Sequence, residues 1–281
     1  MKTWKKIVLG VSLISLFLGG GLVAWGYSQG GLTDLQNKTI SEQDYVKKEV
    51  KDFNKIDIKS SSYNVLIKNG EVDKATLSYY QKTKNPIDTS VKDGQLTIND
   101  NNYKLDSTSN KHINFFGLKD LVRLSTLNKE VRNKTIVITL PKKQTIDFLK
   151  VDLATGNLDL SNSTIKQADI NLNVGDLTFT KMIVSNLKAN LDVGSVDSDH
   201  TLFTNSDLSI AMGDYSGDNL IFNGHNKLDV TSGDIEIALK DYTLNVQADS
   251  HSGEVDITNN LKISKDNTLT ITSDLGDITV E

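Results

Sequence analysis

Glycine recurs at a nearly fixed interval through the second half of the 281-residue chain. The intervals are 19 to 23 residues, and the glycines are Gly156, Gly175, Gly194, Gly213, Gly233, Gly253 and Gly276. An apolar or aromatic side chain stands two residues after each of them, and an apolar one stands five residues before. Alternating apolar residues on both sides of a glycine predict a strand, a bend and a second strand. A period of about 20 residues with short strands in each unit is typical of a parallel β-solenoid.

We therefore predict an all-β fold, a parallel β-solenoid in which each repeat forms one coil and regular coils extend over residues 150–281. The inward side chains of successive coils stack at a spacing of about 4.8 Å. A further apolar residue usually follows the glycine by eight or nine positions, as at Ile165, Val184, Leu202 and Ile221. The coils are expected to be right-handed, as parallel crossovers almost always are. A β-sandwich with a hairpin every ten residues or so is the alternative, but the regular glycine positions favour the solenoid.

The N-terminal segment combines basic residues with a long apolar run. Three lysines fall within the first six residues, and the next 21, from Ile7 to Tyr27, are uncharged. A helix of about 20 apolar residues crosses the core of a bilayer, and Trp25 lies where interfacial aromatic residues are found. Residues 1–27 are therefore predicted to be cytoplasmic lysines and the transmembrane anchor of a single-pass protein in the cell membrane, with its C-terminal domain extracellular. The alternative is a signal peptide cleaved after Gly26, although the run exceeds the usual apolar core of about 7–15 residues.

The chain between this segment and the repeat falls into three parts. Residues 28–52 are polar and are predicted to be a spacer, with a short helix within SEQDYVKKEVKDF. Residues 53–99 read as strands. Residues 100–133 interrupt the β pattern and are predicted to be an insertion that packs on the solenoid as a cap. Because their apolar residues recur at helical spacing, the alternative is a binding surface for the membrane or a partner, formed by Phe115, Phe116, Leu118 and Val122.

Several segments resemble the bacterial putative-adhesin family, a large family of domains of unknown function. They are FNKIDIKSSSYNVLIKNG, VKDGQLTIND, IVITLPKK and the repeated units TGNLDL and SGDIEI. The resemblance covers residues 53–281. It implies an extracytoplasmic β-solenoid behind one N-terminal membrane span, in a family whose members often accompany envelope-stress systems of Gram-positive bacteria. No catalytic residues are implied by it.

Charge is distributed unevenly along the chain. Residues 28–150 carry 21 basic and 15 acidic side chains, a net charge of +6. Residues 151–281 carry 7 basic and 21 acidic side chains, a net charge of −14. The basic part is suited to contact with anionic lipid or an anionic wall polymer, with plain solubility as the alternative. The net charge of −5 over the whole chain excludes a general nucleic-acid binder.

The sequence contains no recognisable catalytic motif, and no cofactor is expected. The absence of cysteine excludes thiol catalysis and cysteine-bound zinc, and the four histidines are dispersed, without the spacing of converging metal ligands. A cell-wall polysaccharide hydrolase or lyase on a β-helix is the alternative function, and hydrolysis needs two carboxylates at a defined separation. Lyases on this fold use a basic residue, yet the only arginines, Arg123 and Arg132, lie outside the repeat. We therefore expect no catalysis.

An acidic or short polar residue follows each repeated glycine. These residues are Asn157, Asp176, Ser195, Asp214, Asp234, Glu254 and Asp277. In a solenoid they lie about 5 Å apart, where two like charges repel by about 0.8 kcal/mol in water. Either they serve turn formation and stay solvated, or Ca²⁺ or Mg²⁺ relieves the repulsion at Asp176, Asp214, Asp234 and Asp277. The Gly-Gly-x-Gly-x-Asp signature of calcium-binding repeats is absent, so any such sites are expected to be weak.

These features predict a membrane-anchored extracytoplasmic solenoid that acts as a non-catalytic binding or adhesion module, or as an accessory of an envelope-stress response. A flat polar face suits an extended polymer or the strand edge of another protein better than a small molecule. The expected partners are the cell membrane and either an anionic wall polymer or a neighbouring membrane protein.

Overall fold

The computed structural model describes residues 43–82, 86–100 and 134–281. The chain divides into two units, Met1–Gln43 and Asp44–Glu281. Every regular element in the described residues is a β-strand, which confirms the predicted all-β class. The predicted anchor, residues 1–27, lies outside the described residues, as do residues 101–133 of the predicted insertion.

One repeat makes one coil of three strands. In the coil around Gly175, β12 (Ala168–Val174) is followed by β13 (Leu177–Thr180) and β14 (Ile183–Ser185). Each pairs in parallel with a strand 19 residues further on, as shown by the pairs Leu172–Leu191, Leu177–Val196 and Val184–Phe203. The coils therefore stack into three parallel sheets, which we call sheet I (β12 and its equivalents), sheet II (β13) and sheet III (β14). The predicted parallel solenoid is confirmed, and the β-sandwich alternative was wrong.

In sheets I and II the spatial order of the strands differs from their order in the chain, whereas sheet III keeps the chain order. Sheet I consists of β5 (Ile87–Lys92), β6 (Gln95–Asp100), β2 (Lys55–Ser60), β9 (Phe148–Leu153), β12, β15 (Leu187–Val193), β18 (Asp207–Met212), β20 (His225–Ser232), β24 (Thr268–Leu275) and β22 (Asn245–Ser250). Sheet II consists of β1 (Gln43–Glu49), β4 (Thr76–Lys82), β7 (Thr135–Pro141), β3 (Asn64–Gly70), β10 (Leu158–Ser161), β13, β16 (Val196–Asp199), β19 (Tyr215–Asn223), β21 (Ile235–Leu239), β25 (Ile278–Val280) and β23 (Val255–Ile257). Sheet III, the short third sheet, consists of β8 (Thr145–Ile146), β11 (Thr164–Ile165), β14, β17 (Leu202–Thr204) and the second half of β19.

Side chains alternate between the interior of the coils and solvent, as the period of two in the sequence predicts. In sheet III the inward position always follows the glycine by nine residues, at Ile165, Val184, Phe203 and Phe222. Leu202 and Ile221, the apolar residues eight positions after their glycines, are not equivalent to these inward residues. Leu202 pairs with Ile183, whose side chain is 48% exposed, and Ile221 pairs with Leu202, so both belong to the outer side. Phe203 packs against Phe222 with ring centroids 5.8 Å apart in the interior of these coils.

The repeated glycines form the bend between sheets I and II, and the stacking leaves no room there for a side chain. Gly194 has a φ of 147°, and a Cβ atom on it would lie 2.0 Å from the carbonyl oxygen of Gly175. Only glycine fits where one backbone approaches another so closely. The glycines recur at this interval because each lies directly against the backbone of the equivalent glycine in the neighbouring coil.

The spatial order of the coils departs from their sequence order at both ends. At the C-terminal end, β24 lies between β20 and β22, and β25 lies between β21 and β23. At the N-terminal end, β2 lies between β6 and β9, and β3 lies between β7 and β10. The first coil, formed by β2 and β3, is thus inside the stack and is covered by β6 and β7, which come later in the chain. The last coil, formed by β24 and β25, is also inside the stack and is covered by β22 and β23, which come earlier.

Antiparallel strands close the N-terminal end of the stack. β5 pairs with β6, β4 pairs with β7, and β1 lies beside β4. The short helix expected within the spacer was wrong, because Gln43–Glu49 is a strand at the edge of sheet II, where Tyr45 contacts Tyr80. Asp100, expected to begin the insertion, ends β6 instead. Its buried carboxylate accepts hydrogen bonds from the Ser61 backbone and hydroxyl and from Ser60, which ties it to the first coil.

Candidate binding surface

The carboxylates of the second half gather on the outer side of sheet II. Its strands β10, β13, β16, β19, β21, β23 and β25 contain no lysine or arginine. The acidic residues on these strands and at the bends before them are Asp159, Asp176, Asp197, Asp199, Asp214, Asp218, Asp234, Glu236, Glu254, Asp256 and Asp277. We call this surface the acidic face. Because inward positions of these strands are apolar, the alternation directs the carboxylates on the strands toward solvent.

Sheet I carries charges of both signs. A single outward column alternates in sign from coil to coil, in the register order Asp57, Lys150, Asp169, Lys188, Asp207 and Lys227. Opposite charges on directly paired strands attract weakly, whereas like charges in that position repel. Outside this column, the strands of sheet I in the second half also carry Asp152, Asp192, Asp229, Asp249 and Asp274. Sheet I is therefore acidic as well, but the lysines in its strands make it less so than sheet II.

The residues that follow the glycines join one coil to the next. Asp176 Oδ1 accepts a hydrogen bond from the backbone N–H of Ser195 at 3.0 Å, and Asp214 Oδ1 accepts one from Asp234 at 2.9 Å. In the same way Asp234 accepts from Asp277 at 2.9 Å, and Asp277 accepts from Glu254 at 2.8 Å. The four carboxylates that were predicted as weak calcium ligands thus hold bend backbone, which agrees with the first of the two interpretations. Binding of Ca²⁺ at Asp176, Asp214, Asp234 and Asp277 stays a prediction.

An open cleft of about 410 Å³ lies at the centre of the acidic face. It spans three successive coils, and its lining includes Ser195, Asp197, Asp214, Ser216, Asp234 and Glu236. All four of these carboxylate residues are exposed. Of the four predicted calcium ligands, the structure brings Asp214 and Asp234 into the cleft, with Asp277 in the next coil of the stack and Asp176 two coils before Asp214. The arrangement suits a cationic ligand and repels an anionic one.

Asp159 lies on the acidic face beyond the cleft and is only partly exposed. Burial raises its pKa, a hydrogen bond with Thr178 lowers it, and the charge of Asp176 raises it further, with a net upward shift. A raised pKa is what a general acid requires. Asp159 is in β10, two coils before the first strand of the cleft, so the structure does not join it to the cleft carboxylates.

One group of described residues offers three potential metal ligands close together: Asp199, His200 and Asp218. The histidines are dispersed in the sequence and were not expected to converge with other ligands, and on this point the structure differs. Asp199 and Asp218 are 19 residues apart and pair directly in β16 and β19, with His200 adjacent. The sequence signal for this group is the 19-residue separation of Asp199 and Asp218, which equals the repeat period. It becomes visible only when the repeats are aligned so that their outward residues are compared.

The remaining predicted functional residues lie outside the part of the chain that the structure describes. They are Phe115, Phe116, Leu118 and Val122 of the predicted insertion. None of the described residues forms a helix with the length and hydropathy needed to cross a membrane.

One protein family covers most of the chain. A model of the family described as Toastrack DUF4097 matches residues 53–281. Among solved structures, the chain is similar to a putative adhesin from Bacteroides fragilis, at 17% identity and a TM-score of 0.40, over 85% of this chain and 97% of that one. It is also similar to a putative adhesin from Parabacteroides distasonis, at 14% identity and a TM-score of 0.40, with 85% and 98% covered. A putative cell adhesion protein from Clostridium sporogenes gives 16% identity and a TM-score of 0.33, with 85% and 99% covered. No curated protein matches the chain.

Proposed function

The chain belongs to the Toastrack DUF4097 family, and on that premise we propose that it is a non-catalytic binding module whose acidic face binds a positively charged segment of another protein. The observation that carries the proposal is the charge separation between the sheets. Seven strands of sheet II, with the bends before them, carry acidic and no basic side chains, whereas sheet I carries lysines among its acidic residues and has one column that alternates in sign. A surface of one sign raises the local concentration of an oppositely charged partner and speeds its association.

Binding explains the cleft better than catalysis does. A hydrolase needs one carboxyl group held protonated, usually by burial, beside a second ionised one. The cleft residues Asp197, Asp214, Asp234 and Glu236 are exposed instead and lack the burial that such an acid requires. The cleft also extends over three coils, a length suited to an extended chain.

The module is proposed to act outside the cell membrane, at the cell envelope. This part of the proposal is supported by the lysines before the uncharged run from Ile7 to Tyr27, and by the resemblance to anchored envelope-stress proteins. We expect the protein to stay with the membrane fraction after an alkaline wash, and protease added to intact protoplasts to remove its C-terminal domain. Protein released into the medium with Tyr27 as its first residue would contradict the anchor and support the signal peptide.

The binding role is tested with the full chain and a decalysine peptide, by calorimetric titration. Replacing the four cleft residues together, Asp197→Asn, Asp214→Asn, Asp234→Asn and Glu236→Gln, removes the charges and keeps an oxygen that can accept the hydrogen bonds of the bends. We expect about a tenfold or greater loss of affinity, since several exposed charge pairs of up to about 1 kcal/mol each are lost together.

The matched control neutralises acidic residues of sheet I, Asp169→Asn and Asp207→Asn, and is expected to bind as the unchanged chain does. Because the control removes two charges and the cleft variant four, a control that loses half as much binding free energy as the cleft variant, or more, would show that only the net charge of the protein matters and would overturn the assignment of the cleft. Release of sugars from a wall polysaccharide by the purified chain, abolished when one carboxylate pair of the cleft is changed, would overturn the non-catalytic role.

A further inference from the structure

The turn between sheets II and III brings an imidazole between two carboxylates. Asp199 ends β16, Asp218 pairs with it in β19, and His200 follows Asp199 directly. One ligand atom from each of the three lies within 4.8 Å of the other two. His200 Nδ1 is 2.6 Å from Asp199 Oδ1. All three side chains are accessible from solvent.

The backbone holds this geometry. His200 has a φ of 49°, and Asn162, Lys181 and Asn219 at the same turn of other coils have φ values of 51°, 53° and 55°. The His200 N–H donates to the carbonyl oxygen of Asp218 at 2.9 Å, which fixes the two coils against each other at this point. The amide of Asn219 donates to Asp218 Oδ2 at 2.7 Å. A hydrogen bond of this kind, from outside the ligand set, orients a carboxylate for metal binding.

The chemistry of these side chains selects a transition metal. Two carboxylates in directly paired positions repel each other, and a divalent cation between them removes that cost. Ca²⁺ and Mg²⁺ prefer oxygen ligands alone, whereas imidazole with carboxylates suits Zn²⁺ and its neighbours in the series. Three protein ligands with a solvent-exposed fourth position match a zinc site that retains a water molecule.

Two lysines set an upper limit on the affinity. Lys181 and Lys240 line a cleft of about 280 Å³ that also includes His200. Their positive charges oppose a cation bound beside that cleft, and solvent screens the interaction. The site is therefore weaker than a buried structural zinc site with four ligands.

From this geometry we propose that Asp199, His200 and Asp218 bind one divalent transition-metal ion, Zn²⁺ in particular, and that the ion links two successive coils. The inference goes beyond the binding role of the acidic face, because none of these three side chains lines the cleft on that face. It can therefore fail while the proposed function holds, and the reverse is also possible.

The test is titration of the full chain with ZnCl₂, followed by calorimetry and by thermal unfolding. We expect one site, and a rise in Tm with Zn²⁺ because the ion binds the folded state. His200→Asn removes the imidazole but keeps a residue type that the same turn uses at positions 162 and 219, so the fold is expected to persist. We expect this variant and Asp218→Asn to bind Zn²⁺ at least about tenfold more weakly.

His251→Asn is the control, because His251 is exposed and lies outside the ligand group. It should bind Zn²⁺ as the unchanged chain does, and all variants should show the same circular dichroism and Tm without metal. Equal Zn²⁺ affinity in His200→Asn and the unchanged chain would overturn the proposal, as would no binding at millimolar Zn²⁺. A Ca²⁺ affinity equal to that for Zn²⁺ would also overturn it, because the imidazole would then contribute nothing.

Discussion

At the scale of single residues, the bend between sheets I and II depends on the absence of a side chain. Gly194 combines a positive φ with a neighbouring carbonyl oxygen at 2.0 Å from the place of a Cβ atom. Neither the strain nor the overlap can be relieved by moving a side chain, because the obstacle is the backbone of the next coil. The glycine at each such bend is therefore a structural requirement of the stack.

We expect Gly194→Ala to lower the free energy of unfolding by about 3 kcal/mol, as measured by denaturant titration. Gly70→Ala is the control. Its φ is ordinary, and the new Cβ would meet only a side-chain atom, Cγ2 of Thr139, which can shift. Equal losses in the two variants would show that the bend tolerates a side chain and that the interval has another cause.

Asp159 provides a prediction on pH. Its pKa is raised in the folded state above the ordinary value of 3.8, mainly by burial, so the folded state binds the proton more tightly than the unfolded state does. The folded state is therefore favoured by this group at low pH, and that contribution is lost as the pH rises from below 3.8 through the folded-state pKa. Asp159→Asn keeps the contact with Thr178 without the charge. We expect it to raise Tm at pH 7 and to leave Tm unchanged near pH 3, whereas a lower Tm at pH 7 would contradict the assignment.

Residue patterns predicted the bends and the inward positions of sheets I and II, but they were ambiguous for sheet III. There the outward residues Ile183, Leu202 and Ile221 are as apolar as the inward ones beside them. Apolar character alone could not tell the two sides apart. The larger Phe203 and Phe222 are inward because only the interior of the coil can enclose a ring.

At the scale of elements, the sequence does not show that the last coil lies inside the stack. The wider interval of 23 residues between Gly253 and Gly276 was the one irregularity at that end. The strand β24 lies inside the stack because its alternating positions are more strongly apolar than those of β22. β24 buries Leu269 and Ile271 almost completely, whereas Val246 and Ala248 of β22 are only partly buried. The more apolar strand takes the position with neighbours on both sides.

This order predicts an unusual pattern of hydrogen exchange. Amides of β24, close to the C-terminal end of the chain, are expected to exchange more slowly than those of β22, which precedes it. β24 pairs on both sides, and β22 pairs with β24 alone in the described sheet. Opening free energies follow burial and pairing rather than distance from the chain end. Faster exchange at Ile271 than at Val246 would show that the C-terminal coil is the outer one.

At the scale of the whole molecule, the repeat places many of the acidic residues of the second half on one surface. The composition predicted −14 for residues 151–281, and the 19-residue period placed acidic residues in columns. It did not show that sheet I neutralises its own column with Lys150, Lys188 and Lys227. That difference depends on the register of the sheets, and it leaves sheet II as the one strongly acidic surface among the described strands of the repeat.

Carboxylate labelling of the full chain, read by mass spectrometry with and without the decalysine peptide, tests the proposed binding surface most directly. A carbodiimide and a small amine convert accessible carboxylates to amides, and the lysine amines of the peptide react with activated carboxylates in the same way. A carboxylate in contact with the peptide therefore loses the small-amine label, because it is covered or because it is cross-linked to the peptide instead. We expect protection at Asp197, Asp214, Asp234 and Glu236, and unchanged labelling at Asp169 and Asp207 on sheet I. Protection spread evenly over both sheets, or confined to sheet I, would contradict the assignment of the acidic face as the binding surface.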